Sequence, residues 1–241
     1  MTQQRSLLDA KPPPTAPTIA LRDYQREALD AVRAAPAAGV TRPLVVLPTG
    51  TGKTVIFAML ARELGARTLI LAHRDELLQQ AADKLRMVDP AAAVGLVKAE
   101  RDEHRAPIVV ASVQTLAHAR RLARVRPDFG LVVVDEAHHV VSASYRTILR
   151  HVGAFDAGGP LTVGVTATPD RGDGVGLGAV FQRVVYERDL LAMIRAGYLC
   201  DPRGIQVGLA ADFRALKVRG GDVADEASAR LLLGADAPAV A

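Results

Sequence analysis

Residues 47–54, LPTGTGKT, combine the residue types that hold a nucleotide's phosphates. An apolar run precedes them and a helical pattern follows, which predicts a strand, a loop and a helix in that order. Gly50 and Gly52 would let backbone N–H groups turn towards a phosphate at the start of the helix. Lys53 would then contact the β- and γ-phosphates, and the Thr54 hydroxyl would bind Mg²⁺. The strict phosphate-loop pattern has glycine where this chain has Leu47, so a glycine turn with a solvated lysine is the alternative.

A second group of reactive side chains lies in LVVVDEAHH, where Asp135 and Glu136 end an aliphatic run. Ligands of parallel sheets bind beyond the carboxyl ends of the strands, so we expect both acids at the same edge as Lys53. Two buried carboxylates need compensating positive charge, which Lys53 and Mg²⁺ would supply. We predict that Asp135 holds the metal through water and that Glu136 orients and deprotonates the attacking water. An exposed acidic turn is the alternative.

The two histidines that follow, His138 and His139, could suggest a zinc site. The helical zinc-protease pattern is His-Glu-x-x-His, and Asp135 stands where its first histidine is required. We therefore do not expect zinc here.

The elements that must position these residues alternate along the chain. Unbroken aliphatic runs of four to six residues indicate strands buried on both faces, and helical patterns between them indicate an α/β fold with a mostly parallel sheet covered by helices on both faces. The predicted strands lie in RPLVVLP, ARTLILAH, AAVGLV, APIVVAS, FGLVVVDEA and PLTVGVTA. The predicted helices include KTVIFAMLARELG, which Gly65 closes, and one basic helix, VQTLAHARRLARVR.

The domain organisation follows from composition. Residues 1–19 are polar and proline-rich, which predicts a disordered lead-in. Residues 20–207 form the predicted α/β domain, and residues 208–241 are predicted to be a tail or linker.

Charge and cysteine content restrict the class of protein. The net charge is +4, from 30 Lys and Arg against 26 Asp and Glu, which permits a polyanionic partner without requiring one. The single cysteine excludes an intrachain disulfide and a thiolate zinc cluster. With no signal-peptide pattern or membrane span in the sequence, we expect a cytoplasmic protein.

Taken together, PTGTGKT, DEAHH and VTATP resemble motifs I, II and III of the superfamily 2 helicases and translocases. LRDYQREALDAV is similar to the Q-type region before motif I, LILAHRDELLQQ to motif Ia, and VVASVQTL to motif Ib. GVTATPDRGDG and VYERDLLAMIRAGYLCDP most resemble the DEAH-type DNA branch, which includes RadD-like repair ATPases, XPB-like proteins and the motor subunits of type I and III restriction enzymes. The resemblance covers about residues 20–220 and implies the first RecA-like, ATP-binding lobe of a P-loop NTPase.

The resemblance also implies residue roles, with ATP and Mg²⁺ as cofactors. Gln25 would contact the adenine, with help from Arg22, and His138 would connect the nucleotide pocket to Thr166 and Thr168 of motif III. The phosphate cradle would be Thr49, Gly50, Thr51, Gly52, Lys53 and Thr54. The residues along a nucleic-acid strand would be His73, Arg74, Ser112, Gln114 and Thr115.

In this family the second lobe supplies motifs V and VI and their arginine finger, and no QxxGRxxR-like run follows Pro169. We therefore expect the first lobe of a DNA helicase or translocase, with DNA rather than RNA as partner and slow ATP turnover on its own. The alternative is a nucleotide-dependent DNA-binding module without motor activity. Another kind of P-loop enzyme is not expected, because a GTPase would show an Asn-Lys-x-Asp run and a kinase would lack the DEAH and TAT motifs.

Overall fold

A computed structural model of the chain describes residues 20–73, 75–168, 176–203, 218–219 and 222–223. The chain divides into two units, Met1–Leu199 and Cys200–Ala241. The predicted lead-in at residues 1–19 lies outside the described residues, as does most of the predicted tail at 208–241. No helix in the described parts is long and apolar enough to cross a membrane.

The first unit is built on an eight-stranded sheet. Its strands are β1 (Pro43–Val46), β2 (Thr68–Ala72), β3 (Val94–Lys98), β4 (Arg101–Asp102), β5 (Ile108–Ser112), β6 (Leu131–Asp135), β7 (Leu161–Thr166) and β8 (Arg183–Glu187). Their order is β4-β3-β5-β2-β6-β7-β1-β8, and only β4 runs antiparallel to its neighbour. The prediction of a mostly parallel sheet is confirmed. In the second unit β9 (Val218–Arg219) and β10 (Asp222–Val223) form an antiparallel pair.

Helices cover both faces of the sheet. They are α1 (Asp23–Ala34), α2 (Lys53–Leu64), α3 (Asp75–Val88), α4 (Val113–Leu116), α5 (Ala119–Leu122), α6 (Ala143–His151) and α7 (Leu190–Arg195). Short 3-10 turns occur at Pro36–Ala38, Ala137–His139 and Leu177–Ala179. As predicted, Gly65 ends α2, with a left-handed φ of 57° that suits glycine.

Successive residues of each strand belong to two separate cores. On β2, Ile70 packs with α1, α2 and α3, whereas Leu69 and Leu71 pack with α4, α5 and α6. This division explains the unbroken aliphatic runs, because a strand covered on both faces needs apolar side chains at every position. The runs therefore identify the layers correctly.

The predicted basic helix of residues 113–126 is wrong as a single element. The structure has two short helices, α4 and α5, separated at Ala117 and His118, where His118 is extended (φ −75°, ψ 119°). The break lets Leu116 and Leu122 both reach the core, while Arg121 pairs with Asp102 of the edge strand β4. Tertiary contacts therefore override a helical pattern that the sequence carries throughout.

Candidate nucleotide and nucleic-acid sites

The phosphate loop joins β1 to α2. Gly50 and Gly52 have φ angles of 85° and 75°, in the left-handed region that favours glycine, and Gly52 caps the start of α2. A side chain on Gly52 would place its Cβ only 2.8 Å from the Gln25 amide nitrogen. This loop ends at the N-terminus of a 12-residue helix, where backbone N–H groups and the helix dipole favour an anion.

The side chains of the loop have distinct environments. Lys53 is 8% exposed, and its Nζ donates a 3.3 Å hydrogen bond to the Leu47 carbonyl. Thr51 is buried and its hydroxyl donates to the Pro48 carbonyl at 2.8 Å, so it stabilises the loop from inside. Thr49 is exposed and Thr54 half-buried, so both are open to a ligand. The long bond of Lys53 leaves its ammonium able to turn to a phosphate.

Register connects the phosphate loop to the two acids. Strand β7 lies between β1 and β6, with Val45 opposite Val165 and Val165 opposite Asp135. The carboxyl ends of β1 and β6 therefore lie at one edge of the sheet, one strand apart. Lys53 begins the helix that follows β1, so the lysine and the acids share that edge.

The electrostatics of Asp135 agree with this arrangement. Burial, and after it the Glu136 charge, raise its pKa from 3.8 to about 6. The Glu136 N–H, which donates to Asp135 Oδ1 at 3.0 Å, and the Lys53 charge act in the opposite direction. Asp135 is a carboxylate whose negative charge is only partly compensated by the protein, which is the environment that a divalent cation would stabilise.

The donor set suits one kind of metal. The described residues contain no group of three or more His, Cys, Asp or Glu side chains that could hold a metal ion by itself. Mg²⁺ commonly binds through one or two protein oxygens, several waters and substrate phosphates, and Asp135 with the Thr54 hydroxyl offers such oxygens. The residues present therefore fit Mg²⁺ brought with a nucleotide.

Glu136 occupies an unusual backbone conformation for a residue with a side chain. Its φ is 48° and its ψ 55°, so the chain turns sharply after β6 into the 3-10 turn Ala137–His139. Non-glycine residues in this region are strained and concentrate at functional sites. Because of this turn, the His138 ring lies close to the Glu136 carboxylate, with Nδ1 3.4 Å from Oε2.

His138 also contacts the motif III residues. Its Nδ1 lies 3.1 Å from the Thr166 hydroxyl, which in turn lies 3.1 Å from the Thr168 carbonyl oxygen and 3.2 Å from the Thr168 amide. The structure therefore brings together the three residues that the sequence assigned to coupling.

Gln25 and Arg22 lie against the phosphate loop. The Gln25 amide group donates to the Thr51 carbonyl at 3.0 Å, and its oxygen accepts from the Arg22 backbone N–H at 3.0 Å. Arg22 Nη1 reaches the Tyr24 hydroxyl at 3.2 Å. The amide of Gln25 thus supports the loop directly, and contact with an adenine stays a prediction.

Tyr24, on α1, has a polar contact that the sequence pattern does not indicate. Its hydroxyl donates to the Thr51 carbonyl at 2.5 Å, beside the Gln25 bond. Tyr145, on α6, was missed too: it is 1% exposed, and the Asp135 and Glu136 charges help burial to raise its pKa. Helical periodicity alone marks both tyrosines only as buried positions.

The predicted nucleic-acid residues gather at the ends of β2 and β5. Ser112 caps α4 and its hydroxyl donates to the Gln114 amide oxygen at 2.8 Å, while the Gln114 amide nitrogen donates to the His73 carbonyl at 2.7 Å. The Thr115 N–H donates to Ser112 Oγ at 3.4 Å, and Thr115 Oγ1 accepts from the Ala99 N–H at 3.2 Å. Arg74 lies outside the described residues.

A basic groove of about 700 Å³ adjoins these residues. Arg120 is exposed on its wall, whereas Arg121 and Arg124 pair with Asp102 at 3.0 and 2.5 Å. The other lining residues are Ala99, Glu100, Gln114, Thr115, His118 and Ala119. Asp102 therefore pairs with two of the guanidinium groups, although the Arg124 side chain is still 58% exposed.

Comparison with known proteins identifies relatives of the chain. The family model described as type III restriction enzyme, res subunit, matches residues 18–171. IRC3 of Saccharomyces cerevisiae, which is named as an ATP-dependent helicase, is 38% identical over 211 residues, covering 82% of this chain and 30% of IRC3. XPB2 of Sulfurisphaera tokodaii, named as a DNA 3'-5' translocase, is 30% identical over 175 residues, covering 71% of this chain and 36% of XPB2.

Among solved structures, the helicase domain of Pyrococcus furiosus Hef superposes with a TM-score of 0.58 and 28% identity. The match covers 70% of this chain and 38% of the Hef chain. The chain therefore spans about a third of the length of the relatives that it matches.

Proposed function

The chain belongs to the type III restriction enzyme, res subunit, family, and from this premise we propose that it is the ATP-binding lobe of a DNA helicase or translocase. The observation that carries the proposal is the shared sheet edge, where the strand register brings the Lys53 loop and Asp135 together across β7. A phosphate loop and a pair of acids at one edge are what binding and hydrolysis of ATP require. IRC3, named as an ATP-dependent helicase, supports the same activity.

The residues at that edge have separate tasks in the proposed reaction. The N–H groups of the glycine loop and the Lys53 ammonium bind and orient the phosphates, and Thr54 and Asp135 would hold Mg²⁺. Bound Mg²⁺ supplies positive charge that stabilises the phosphate oxygens. Glu136 orients the attacking water and accepts its proton.

Closure of two lobes would convert this hydrolysis into movement. The chain spans about a third of its relatives, so movement along DNA is proposed for a protein that joins this lobe to a second one carrying motifs V and VI. An arginine from that lobe contributes about 10³–10⁵ to turnover in related phosphoryl-transfer systems, so we expect this lobe alone to bind ATP but to hydrolyse it slowly.

We propose DNA rather than RNA as the partner. XPB2 is named as a DNA translocase and is 30% identical to this chain. Polar donors at Gln114 and Thr115 next to the exposed Arg120 suit a phosphate backbone, which a motor must hold without reading its bases. The predicted contacts of His73, Arg74 and Ser112 with the strand stay predictions; Ser112 is only 2% exposed. A cytoplasmic location also stays a prediction.

The experiment measures ATP turnover with and without DNA, alone and with the second lobe of a relative such as IRC3 added. We expect DNA to stimulate turnover in the combined system and Glu136→Gln to abolish it while ATP binding persists. Lys84→Gln, on the exposed face of α3, is the control and should leave turnover unchanged.

The second candidate function is a nucleotide-dependent DNA-binding module, because the phosphate loop before α2 and the basic groove would suit binding without movement as well. Tight ATP binding with no turnover in any combination would favour it over the motor. A chain that binds no ATP would contradict both.

A further inference from the structure

Three imidazole rings contact one another in series beside the nucleotide site, one pair tilted and the other stacked; we call this series the stack. The His138 and His139 ring centres are 4.1 Å apart at an interplanar angle of 47°, and the His139 and His73 centres are 4.6 Å apart at 27°. His139 is therefore the middle ring, in contact with one histidine from motif II and one from the end of β2. All three are half-buried.

One end of the stack is attached to the nucleotide side. His138 lies within 3.4 Å of the Glu136 carboxylate and 3.1 Å of the Thr166 hydroxyl. Glu136, in its αL conformation, is the only residue between the metal-binding acid of β6 and the turn Ala137–His139. A shift of the Glu136 backbone would therefore be passed to both histidines, because they follow it directly in one short 3-10 turn.

The other end is attached to the proposed nucleic-acid surface. Gln114 donates to the His73 carbonyl at 2.7 Å and lies 3.4 Å from His73 Nδ1, and Ser112 donates to Gln114 at 2.8 Å. Gln114 and Thr115 line the basic groove. The stack thus runs through packed rings and short hydrogen bonds from the ATP edge to that groove, without a gap.

We propose that His139 is a positioning residue that couples ATP binding to DNA binding, acting through its two ring contacts. The inference rests on the proposed function and adds to it the physical link between the two sites. Stacked rings hold their planes within a narrow range of offsets, so a displaced His138 moves His139 and, through it, His73 and Gln114. Energetic coupling of this kind travels through contiguous packed groups that have two arrangements.

The test measures coupling and not activity. Anisotropy of a fluorescent DNA gives the Kd for DNA with and without saturating Mg²⁺ and a non-hydrolysable ATP analogue, and the ratio of the two values is the coupling factor. For the unmodified chain we expect a factor of at least about 5. His139→Ala removes both ring contacts and should bring the factor close to 1, while each ligand alone binds as before.

Two further variants separate stacking from other roles. His139→Phe keeps a flat ring and should retain most of the coupling, whereas His139→Asn keeps polarity without a ring and should lose it. A merely structural role would change DNA and ATP affinities in parallel, and the factor would not move.

The outcomes are distinguishable from those that test the function. If both ligands bind and the factor is already 1, or if His139→Ala leaves it unchanged, the inference fails and the proposed function stands. The inference also fails if His139→Asn retains the coupling factor and His139→Phe loses it. A hydrogen bond, and not ring contact, would then couple the two sites. If the unmodified chain binds no ATP analogue, the proposed function itself is contradicted.

Discussion

Asp135 is the acid of the site whose negative charge is most destabilised by its surroundings. It ends a strand that is buried on both faces, is 8% exposed itself, and has Glu136 as its neighbour. Lys53 compensates only part of that cost, so the pKa of Asp135 stays raised, at about 6. A carboxylate kept in such surroundings destabilises the nucleotide-free fold, which points to a role in binding and not in stability.

The raised pKa predicts how stability depends on pH in the absence of nucleotide and divalent metal. The folded state holds the Asp135 proton up to about pH 6, whereas an unfolded aspartate releases it near 3.8, so stability falls as pH rises between these values. Asp135→Asn removes this penalty. Between pH 4.5 and 7.5 its stability relative to the unmodified chain should rise by about 2 kcal/mol, measured by urea unfolding in EDTA.

The control for this comparison is Asp83→Asn, at an exposed position on α3. Its unfolding free energy should stay at a constant offset from that of the unmodified chain over the same range. If the unfolding free energies of Asp135→Asn and the unmodified chain changed in parallel with pH, the raised pKa of Asp135 would be contradicted.

Tyr145 gives a second prediction at this scale. Its hydroxyl is buried and has no hydrogen-bond partner within the described part of the chain. An unsatisfied buried hydroxyl costs about 1–3 kcal/mol, so Tyr145→Phe should stabilise the nucleotide-free protein, raising its midpoint in urea.

Tyr186→Phe is the matched control, because the Tyr186 hydroxyl donates to Glu27 at 2.7 Å and accepts from Arg188 at 3.1 Å. Removing it should bring no gain in stability. A destabilised Tyr145→Phe protein would mean that the hydroxyl has a partner after all.

At the scale of elements, the phosphate loop depends on contacts from a distant helix. Tyr24 and Gln25 of α1 both donate to the Thr51 carbonyl, so α1 fixes the loop that α2 begins. The glycines in the sequence predict the loop. The support from α1 depends on how α1 packs against α2, so neither the glycine pattern nor the helical pattern of α1 predicts it. For the same reason the sequence pattern did not predict the break in residues 113–126. There Arg121 and Arg124 form ion pairs with Asp102 of β4, which is distant in sequence.

The close approach of α1 to the loop can be tested at Gly52. Gly52→Ala combines a left-handed φ of 75° with a Cβ 2.8 Å from the Gln25 amide nitrogen. It should lower stability by more than the roughly 1–2 kcal/mol of the backbone strain, and it should weaken ATP binding, both measured by thermal unfolding with and without nucleotide.

Gly39→Ala isolates the backbone term, because Gly39 has nearly the same φ, 74°, with nothing within 4 Å of the added Cβ. It should lose stability through strain alone and keep the full stabilisation by ATP. Equal losses in the two variants would show that the contact with Gln25 does not matter.

At the scale of the whole molecule, the sheet order is what unites the motifs. The sequence predicted the layers and six of the eight strands, because uninterrupted aliphatic runs are typical of doubly covered strands. It placed Lys53 and Asp135 at one edge only through a general rule for parallel sheets, and the insertion of β7 between β1 and β6 supplies the actual spacing. Strands β4 and β8 were missed, because β4 has only two residues and β8 is a partly exposed strand without a long aliphatic run.

The groove beside α4 and α5 predicts how the lobe holds DNA. Arg120 is exposed on its wall, so Arg120→Ala should weaken DNA binding to a similar extent for all base sequences and lower the salt dependence of log Kd by about one unit per lost phosphate contact. Anisotropy titrations over a range of NaCl concentrations measure both. Lys84→Ala removes an exposed charge from α3 and should change neither; an unchanged slope for Arg120→Ala would exclude the groove as a phosphate contact.

The central claim is that the glycine loop and the motif II acids bind one nucleotide together. A crystal structure of the chain with a non-hydrolysable ATP analogue and Mn²⁺ tests it most directly, because the anomalous signal of Mn²⁺ locates the metal. We predict Mn²⁺ between the Thr54 hydroxyl and the Asp135 carboxylate, bound directly or through one water, with Lys53 Nζ on the terminal phosphates. Metal and phosphates found away from Asp135, or phosphates that do not contact the loop, would contradict the account.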